Sequence, residues 1–218
     1  MKRGKPLVES SCVRVTDDEL PTLRRQLLLR RQPRFQVFAR CACLDALEHH
    51  SSAVLVAPPG AGKTTVGRAL AARLGVNFRD TDHDIEATAG KRIADIFVDD
   101  GEEVFRHLET EALRRALAEF DGVVSLGGGV IMRDVNRELL QGHPVVWLDV
   151  SLSEAVKRVG LGTTRPLLMG NVRGRLMELM AERVPIYKTI ASVRVDTSGR
   201  SVADVVDELI PLLAVTHG

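Results

Sequence analysis

Aromatic residues are scarce in this 218-residue chain, because Phe, Tyr and Trp together make up 4% of it. Proteins that bind single-stranded nucleic acids stack the bases on aromatic side chains, so this class is disfavoured. Long apolar runs are also missing, and no window approaches the ~18 residues of a membrane-spanning helix. A strong net charge is missing too: 30 Lys and Arg residues face 29 Asp and Glu residues, which argues against a dedicated nucleic-acid binder. The sequence therefore predicts neither a nucleic-acid partner nor a membrane protein.

Cysteine is absent after Cys43, and the chain contains only Cys12 and Cys41 besides. Most of the chain therefore cannot form a disulfide, which fits the reducing cytosol and predicts a cytoplasmic location. Cys41 and Cys43 stand close in sequence to His49 and His50 and could be zinc ligands. Structural zinc sites separate their paired cysteines by more than the single residue found here, so incidental residues are the better interpretation.

The first fifty residues differ in charge from the rest. They contain ten Lys and Arg residues and six Asp and Glu residues, a net charge of +4, whereas the remainder carries −3. Between Leu20 and Leu44 there are six arginines and no acidic residue. We expect residues 1–51 to form a basic, poorly ordered extension. Three alternatives stay open: a plastid transit peptide, an arm that binds an acidic partner, and a start codon assigned too far upstream.

Short apolar runs alternate with segments of helical spacing from Ser52 onwards. The predicted strands are Ala53–Ala57, Val76–Asp80, Gly122–Leu126, Pro144–Val150 and Val193–Asp196. The predicted helices are Val66–Leu74, Asp82–Ala89, Ile93–Glu119 with a break near Asp100, a helix ending at Val159, Leu176–Ile190 with an interruption at Pro185, and Val202–Leu213. This alternation predicts an α/β fold, a doubly wound five-stranded parallel sheet with helices on both faces. We expect the domain to span residues 52–214, followed by a tail at 215–218.

A glycine-rich turn, Gly60-Ala61-Gly62-Lys63-Thr64-Thr65, follows the first predicted strand and opens a helix. Such a loop points backbone N–H groups at phosphate oxygens, and the helix N-terminus adds partial positive charge. Lys63 is expected to reach the β- and γ-phosphates of a nucleotide, and the Thr64 hydroxyl is expected to ligate Mg²⁺. The full pattern has glycine where this chain has Ala57. Alanine is tolerable there if its φ is negative, and costs on the order of 1 kcal/mol if φ is positive.

Five further stretches of sequence indicate which substrate receives the phosphate. They are Asp80-Thr81-Asp82, Phe105-Arg106 with Glu109, Gly127-Gly128-Gly129, Arg165-Pro166-Leu167-Leu168 and Arg183-Val184-Pro185-Ile186-Tyr187. In order and spacing they resemble the shikimate kinases, over about Ser52 to Leu213. The resemblance implies a monomeric P-loop kinase with a mobile lid. It also implies that ATP and Mg²⁺ are used to phosphorylate the 3-hydroxyl of shikimate, on the way to chorismate and the aromatic amino acids.

The resemblance also implies roles on the acceptor side. Arg106 and Arg183 would grip the shikimate carboxylate, and the backbone N–H groups of Gly128 and Gly129 would complete the pocket. Guanidinium groups suit a carboxylate because they bind it bidentately and stay charged. Asp82 would hold the acceptor hydroxyls; whether it accepts the reacting proton or only orients the oxygen stays open.

On the nucleotide side, Asp80 would act near Mg²⁺, mostly through water. Arg158 would lie against the adenine, and Arg165 would reach the transferring phosphate from the lid. The expected ATP-binding residues are Gly60, Ala61, Gly62, Lys63, Thr64, Thr65, Arg158 and Arg165. The expected catalytic residues are Lys63, Asp82 and Arg165, and the expected metal ligands are Thr64 and Asp80.

Several of these residues have a purely structural alternative. Arg106 could form a surface pair with Glu109, and Arg183 could pair with Glu178 or Glu182 on the solvent side. Arg158 could simply be solvated at its helix end, and the carboxylates before the second helix could cap it. Two other functions also stay open. One is a different small-metabolite kinase, such as a gluconate kinase, and the other is a weakly active nucleotide-binding protein, for which Ala57 is the only support.

Overall fold

The structure, a computed structural model, describes residues 52–160 and 171–216. The expected N-terminal extension and the expected lid residue Arg165 lie outside these ranges. Five strands form one sheet: β1 (Ala53–Val56), β2 (Asn77–Asp80), β3 (Gly122–Ser125), β4 (Val145–Asp149) and β5 (Val193–Asp196). The strands are all parallel, in the order β2-β3-β1-β4-β5. The predicted five-stranded parallel sheet is therefore confirmed.

The described residues also form eight α-helices and one 3₁₀ turn. The helices are α1 (Lys63–Leu74), α2 (Thr81–Ala89), α3 (Ile93–Asp99), α4 (Glu102–Glu119), α5 (Asp134–Leu139), α6 (Leu152–Gly160), α7 (Val172–Ile190) and α8 (Val202–Thr216). The 3₁₀ turn covers Val130–Met132. None of the helices in the described ranges combines the length and apolar character needed to cross a membrane.

Successive side chains of a strand point to opposite faces of the sheet, so the buried strands contribute to two apolar cores, one on each face. Ala53 and Leu55 of β1 pack with α1, α6 and α8 on one face. Val54 and Val56 point the other way and pack with α4, the 3₁₀ turn and α7. All four side chains are at most 2% exposed, and burial of a Val or Leu side chain stabilises a fold by about 1.5–3 kcal/mol. Helices therefore cover both faces, as the sequence predicts.

A third, smaller apolar cluster joins α2, α3 and α4. Its buried members are Ile85, Ile96, Phe105 and Ala112. The rings of Phe97 and Phe105 also meet, with their centroids 4.5 Å apart. This cluster holds together the two helices that carry Asp82 and Arg106.

Some boundaries differ from those predicted. Helix α1 begins at Lys63 instead of Val66, because its first turn is part of the phosphate loop. Helix α7 begins at Val172, where the Asn171 side chain caps it by accepting a hydrogen bond from the Gly174 N–H. It then continues through Pro185, which the sequence predicts to interrupt it. Pro185 is exposed, so the carbonyl that loses its partner can face water.

Two elements and one boundary are not predicted by the sequence. The 3₁₀ turn at Val130–Met132 and helix α5 both lie in a segment that was not assigned to any element. Helix α8 runs through Pro211 to Thr216, two residues beyond the expected domain boundary at 214. Trp147 of β4 lies in the core and is 2% exposed.

Candidate active site

The phosphate loop connects β1 to α1, and two of its glycines have left-handed backbones. Gly60 has φ 86° and Gly62 has φ 88°, a region that residues with a side chain rarely adopt. A Cβ atom on Gly60 would also lie 3.0 Å from the carbonyl oxygen of Ala155 in α6. Ala61 between them is buried. Glycine is therefore required at both positions, for conformation and, at Gly60, for close packing.

The N-terminus of α1 is open to an anion. Gly62 provides no side-chain cap, and the first turn contains no acidic residue. Thr64 and Thr65 are exposed there, and Lys63 is the first residue of the helix. The unpaired N–H groups of a helix N-terminus and its partial positive charge attract phosphate. The geometry thus fits the predicted phosphate-binding role of this loop.

Ala57 is accommodated without backbone strain. No residue other than glycine has a positive φ in the described ranges, so Ala57 adopts the conformation in which alanine is tolerable. Its methyl group is buried, with 1% of the residue exposed. The hypothesis of a weakly active nucleotide-binding protein therefore loses its only support.

Arg158 connects the phosphate loop to the turn that follows β5. Its Nη1 donates to the Gly60 carbonyl at 3.3 Å, and its Nη2 donates to the Thr197 carbonyl at 2.8 Å. Its Nε donates to Glu154 one helical turn earlier, at 3.1 Å. The alternative of a merely solvated helix-end arginine is wrong, because the guanidinium is tied to the backbone beside the phosphate loop.

Asp80 and Thr64 meet where β2 ends. The Thr64 hydroxyl donates to Asp80 Oδ2 at 3.2 Å, while Asp80 Oδ1 accepts from the Asp82 N–H at 3.1 Å and caps α2. Asp80 therefore does cap the helix and also contacts Thr64. Asp82 lies in the first turn of α2.

The Thr64 and Asp80 pair fits a magnesium ion that is shared with a nucleotide. Among the described residues, no group of three or more His, Cys, Asp and Glu side chains could hold a metal ion alone. Mg²⁺ typically takes one or two protein ligands and fills its shell with waters and phosphate oxygens. Two oxygen donors beside a phosphate loop satisfy that need.

The glycine triplet after β3 is enclosed by three predicted site residues. A Cβ atom on Gly127 would overlap with Asp82 Oδ1, and one on Gly129 would overlap with Arg106 Nη1. A Cβ atom on Gly128 would lie 2.9 Å from Arg183 Nη1.

Asp82 from α2, Arg106 from α4 and Arg183 from α7 thus converge on one stretch of backbone. Because each glycine faces the end of a different one of these side chains, a larger residue at any position of the triplet would displace the side chain that it faces.

Arg106 is held by a carboxylate inside the protein. Its Nη1 lies 2.6 Å from Glu109 Oε2, and its Nη2 lies 2.9 Å from the exposed Glu102. The Glu109 side chain is only 2% exposed, so the hypothesis of a surface pair is wrong. Burial raises the pKa of Glu109, and the nearby Arg106 cation opposes this rise. The three-residue spacing on a helix is the one signal for this contact in the sequence, and it does not reveal the burial of Glu109.

Arg183 points into the protein. Its Nε is buried and has no hydrogen-bond partner among the described residues. Glu178, suggested as a solvent-side partner, pairs with Arg175 instead, at 3.3 Å. One turn later on α7 lies Tyr187, whose ring packs on Trp147 at a centroid distance of 5.8 Å. Burial raises the pKa of Tyr187 to about 12 against the opposing Arg183 cation, so the phenol stays neutral.

The described residues thus bring the predicted sites together in two groups. Lys63, Thr64, Asp80 and Arg158 lie at or beside the phosphate loop. Asp82, Arg106 and Arg183 surround the glycine triplet that contains Gly128 and Gly129. The two groups adjoin, because Asp80 caps the helix that carries Asp82. Arg165 lies outside the described residues.

Comparisons with known proteins identify the same family. A family model described as "Shikimate kinase" matches residues 59–214. A shikimate kinase from Thermobifida fusca is 59% identical over 146 residues, which are 67% of this chain and 85% of that protein. A solved shikimate kinase from Acinetobacter baumannii, in complex with shikimate, is 37% identical with a TM-score of 0.72, and the match covers 78% of this chain and 96% of the other.

A gluconokinase from Sinorhizobium meliloti is more distant. It is 22% identical with a TM-score of 0.50, over 77% of this chain and 93% of the other, and so shares the fold alone. The match of the family model over most of the chain, together with the high identity to a shikimate kinase, leads to one conclusion. The chain belongs to the shikimate kinase family.

Proposed function

We propose that this protein transfers the γ-phosphoryl group of ATP to the 3-hydroxyl of shikimate, giving shikimate 3-phosphate and ADP. The observation that carries the proposal is the convergence of Asp82, Arg106 and Arg183 on the glycine triplet. Two guanidinium groups and one carboxylate around a glycine backbone match an acceptor that has one carboxylate and several hydroxyls.

The two arginines are suited to bind the substrate carboxylate. Arg106 is fixed by Glu109 and retains further N–H groups, while the buried Nε of Arg183 lacks a partner among the described residues. A bound carboxylate would accept hydrogen bonds from the Nη groups of the two guanidiniums, which lie beside the glycine triplet. We assign the N–H groups of Gly128 and Gly129 to the same carboxylate, because these glycines lie beside Arg183 Nη1 and Arg106 Nη1.

Asp82 is proposed to bind the acceptor hydroxyls. It lies in the first turn of α2, two residues after Asp80, which contacts Thr64, so a hydroxyl bound there would sit close to the phosphates. A carboxylate orients a hydroxyl by accepting its hydrogen bond and can take its proton during transfer. Phosphoryl transfer depends strongly on such positioning, because its transition state is loose.

On the nucleotide side, Lys63 and the N–H groups of residues 60–65 are proposed to bind the phosphates. Arg158 is proposed to lie against the adenine, and Arg165 to contact the transferring phosphate. Thr64, and Asp80 through water, would hold Mg²⁺. When bound, the metal ion would neutralise charge on the phosphate oxygens.

We also propose that the kinase domain spans residues 52–214, as the family match to residues 59–214 supports. Residues 1–51 would then be an extension that the reaction does not need. From the family resemblance, we propose a monomer, and from the distribution of cysteines, a cytoplasmic location.

An assay of ADP release tests the function directly. The full-length protein, with Mg²⁺ and ATP, should release ADP upon addition of shikimate and remain near background with gluconate. The Lys63→Ala variant is the control, because loss of the phosphate-binding ammonium should abolish turnover without changing the acceptor pocket. Turnover of gluconate and no turnover of shikimate would overturn the proposal.

A further inference from the structure

Thr81 is a fully buried residue between Asp80 and Asp82, with 0% exposure. Its hydroxyl forms two hydrogen bonds across the sheet edge. It donates to the carbonyl oxygen of Ser125 at 3.3 Å and accepts from the N–H of Gly127 at 3.2 Å. Ser125 is the last residue of β3, and Gly127 is the first residue of the glycine triplet. One side chain therefore connects the start of α2 to the backbone of the triplet.

The topology explains why a hydroxyl is needed at this point. Asp80 and Ser125 are the last residues at which β2 and β3 pair, and the chain then turns into α2 at Thr81. Beyond this pair, β2 offers no further strand backbone to the Ser125 carbonyl and the Gly127 N–H. Buried backbone groups need partners, and a hydroxyl can serve a donor and an acceptor together. The Thr81 side chain thus extends the sheet ladder by one step.

The triplet itself has little intrinsic stiffness, because glycine accepts many backbone conformations. The described hydrogen bonds hold it at three points: the Gly127 N–H by Thr81, the Gly127 carbonyl by the Val130 N–H, and the Gly129 carbonyl by the Met132 N–H. The N–H of Gly128 has no acceptor within the described part of the chain. Its direction therefore depends on how Gly127 is anchored.

We propose that Thr81 is a positioning residue for the acceptor pocket, an inference that rests on the proposed function. Through its neighbour Asp82 it fixes the group that binds the acceptor hydroxyls, and through Gly127 it fixes the backbone that binds the acceptor carboxylate. It thus sets the separation between the two halves of the pocket without touching the substrate.

Removal of the hydroxyl is the test. Thr81→Val should raise the KM for shikimate about tenfold and change the KM for ATP less than about twofold, since one buried anchor of the acceptor pocket is lost. Thr81→Ser keeps the hydroxyl and should keep the KM for shikimate near that of the wild type. Thr81→Ala forms a second comparison with Thr81→Ser, in case Thr81→Val folds poorly, because both lack the methyl group and only one has the hydroxyl.

Val145→Ala is the matched stability control. Val145 is buried at the opposite end of the sheet, at the start of β4, and its truncation should weaken folding without changing either KM.

Three outcomes would overturn the inference: an unchanged KM for shikimate in the hydroxyl-free variants, equal rises for shikimate and ATP, or the same rise in Val145→Ala. The two proposals fail in different ways. A wild-type protein that does not turn over shikimate overturns the function and the inference with it, whereas an active wild type with unaffected Thr81 variants overturns the inference alone.

Discussion

Arg106 stands between two carboxylates in very different surroundings. Glu102 is 66% exposed and Glu109 is 2% exposed, yet both lie within 3 Å of its guanidinium group. Exposed ion pairs contribute little to stability, whereas breaking a buried pair is costly. Glu109 is therefore the partner that fixes Arg106, and Glu102 adds only a weak surface contact.

Arg106→Ala should raise the KM for shikimate by about 10- to 100-fold and the KM for ATP far less, because a charge-assisted contact to the acceptor is lost. Initial rates at varied shikimate and ATP measure both constants. Arg114→Ala is the control on the same helix, since Arg114 pairs at the exposed surface with Glu111. Equal effects on both KM values would contradict the role assigned to Arg106.

The raised pKa of Glu109 predicts a dependence of stability on pH. A carboxyl whose pKa is raised by folding binds its proton more tightly in the folded state. Its contribution is complete below the ordinary value of 4.5 and is lost as the pH rises through the folded-state pKa. The wild type should therefore lose stability relative to Glu109→Gln as the pH rises from about 4.5 towards 7.

Urea unfolding of the two proteins across this range measures the difference. Glu102→Gln is the control, because the exposed Glu102 should show no comparable trend. If the wild type gained stability relative to Glu109→Gln with rising pH, the interaction with Arg106 would outweigh the burial of the carboxylate.

At the scale of elements, helix α1 packs so closely on the sheet that one of its interior residues must be glycine. A Cβ atom on Gly67 would lie 2.5 Å from Phe78 Cε2 and 2.9 Å from Leu55 Cδ1. Alanine is favoured over glycine in a helix by about 1 kcal/mol, but overpacking costs about 1–3 kcal/mol. The steric cost is the larger of the two here, because Leu55 of β1 and Phe78 of β2 already pack in the apolar core beside α1.

Gly67→Ala should therefore lower the free energy of unfolding, although it improves helix propensity. Chemical denaturation gives the change, and the double variant Gly67→Ala with Phe78→Leu should recover part of the loss. A single variant with a higher denaturation midpoint than the wild type would show that α1 can move away from the sheet without cost.

The strands could be predicted closely because each is a short apolar run between turn residues. The prediction for β5, Val193–Asp196, agrees with the structure at both ends. The helix ends were harder to predict. For example, α7 begins at an Asn171 cap, and the glycine-rich sequence before this cap is typical of a loop. Such ends depend on a few local hydrogen bonds instead of a periodic pattern.

The residues of the candidate site could be selected from the sequence by resemblance, but their environment could not. A glutamate three residues after an arginine on a helix reads as a surface pair, and only packing beside Gly127 makes Glu109 a buried one. In the same way, the hydrogen bonds of Thr81 join residues 44 and 46 positions apart in the chain. Contacts of this kind appear only when the strand order is known.

At the scale of the whole molecule, the even charge balance conceals two different regions. The basic excess lies in residues 1–50, while the family match begins only at residue 59. The cations proposed to act on substrates are few, and those in the described ranges lie beside the phosphate loop or the glycine triplet. Net charge therefore carries little information about this site.

Deletion of residues 1–51 should leave the kinetic constants for shikimate and ATP largely unchanged, because every described site residue lies beyond this segment. Steady-state kinetics and thermal unfolding of the shortened and full-length proteins test this. Failure of the shortened protein to fold would show that the extension packs on the kinase domain. A selective change in one KM would indicate that it contributes to that binding site.

The position of β1 in the sheet has a consequence for biosynthesis. Among the described residues β1 is the first strand in sequence but the central one in the sheet, and its neighbours β3 and β4 are made much later. The Arg158 contact that supports Gly60 spans 98 positions. On the ribosome the N-terminal part of a chain emerges first, so β1 and the phosphate loop are made before the segments that they contact in the folded protein. The phosphate loop can therefore assume its final form only after α6 has been made, and from that point on bound ATP would stabilise the folded chain.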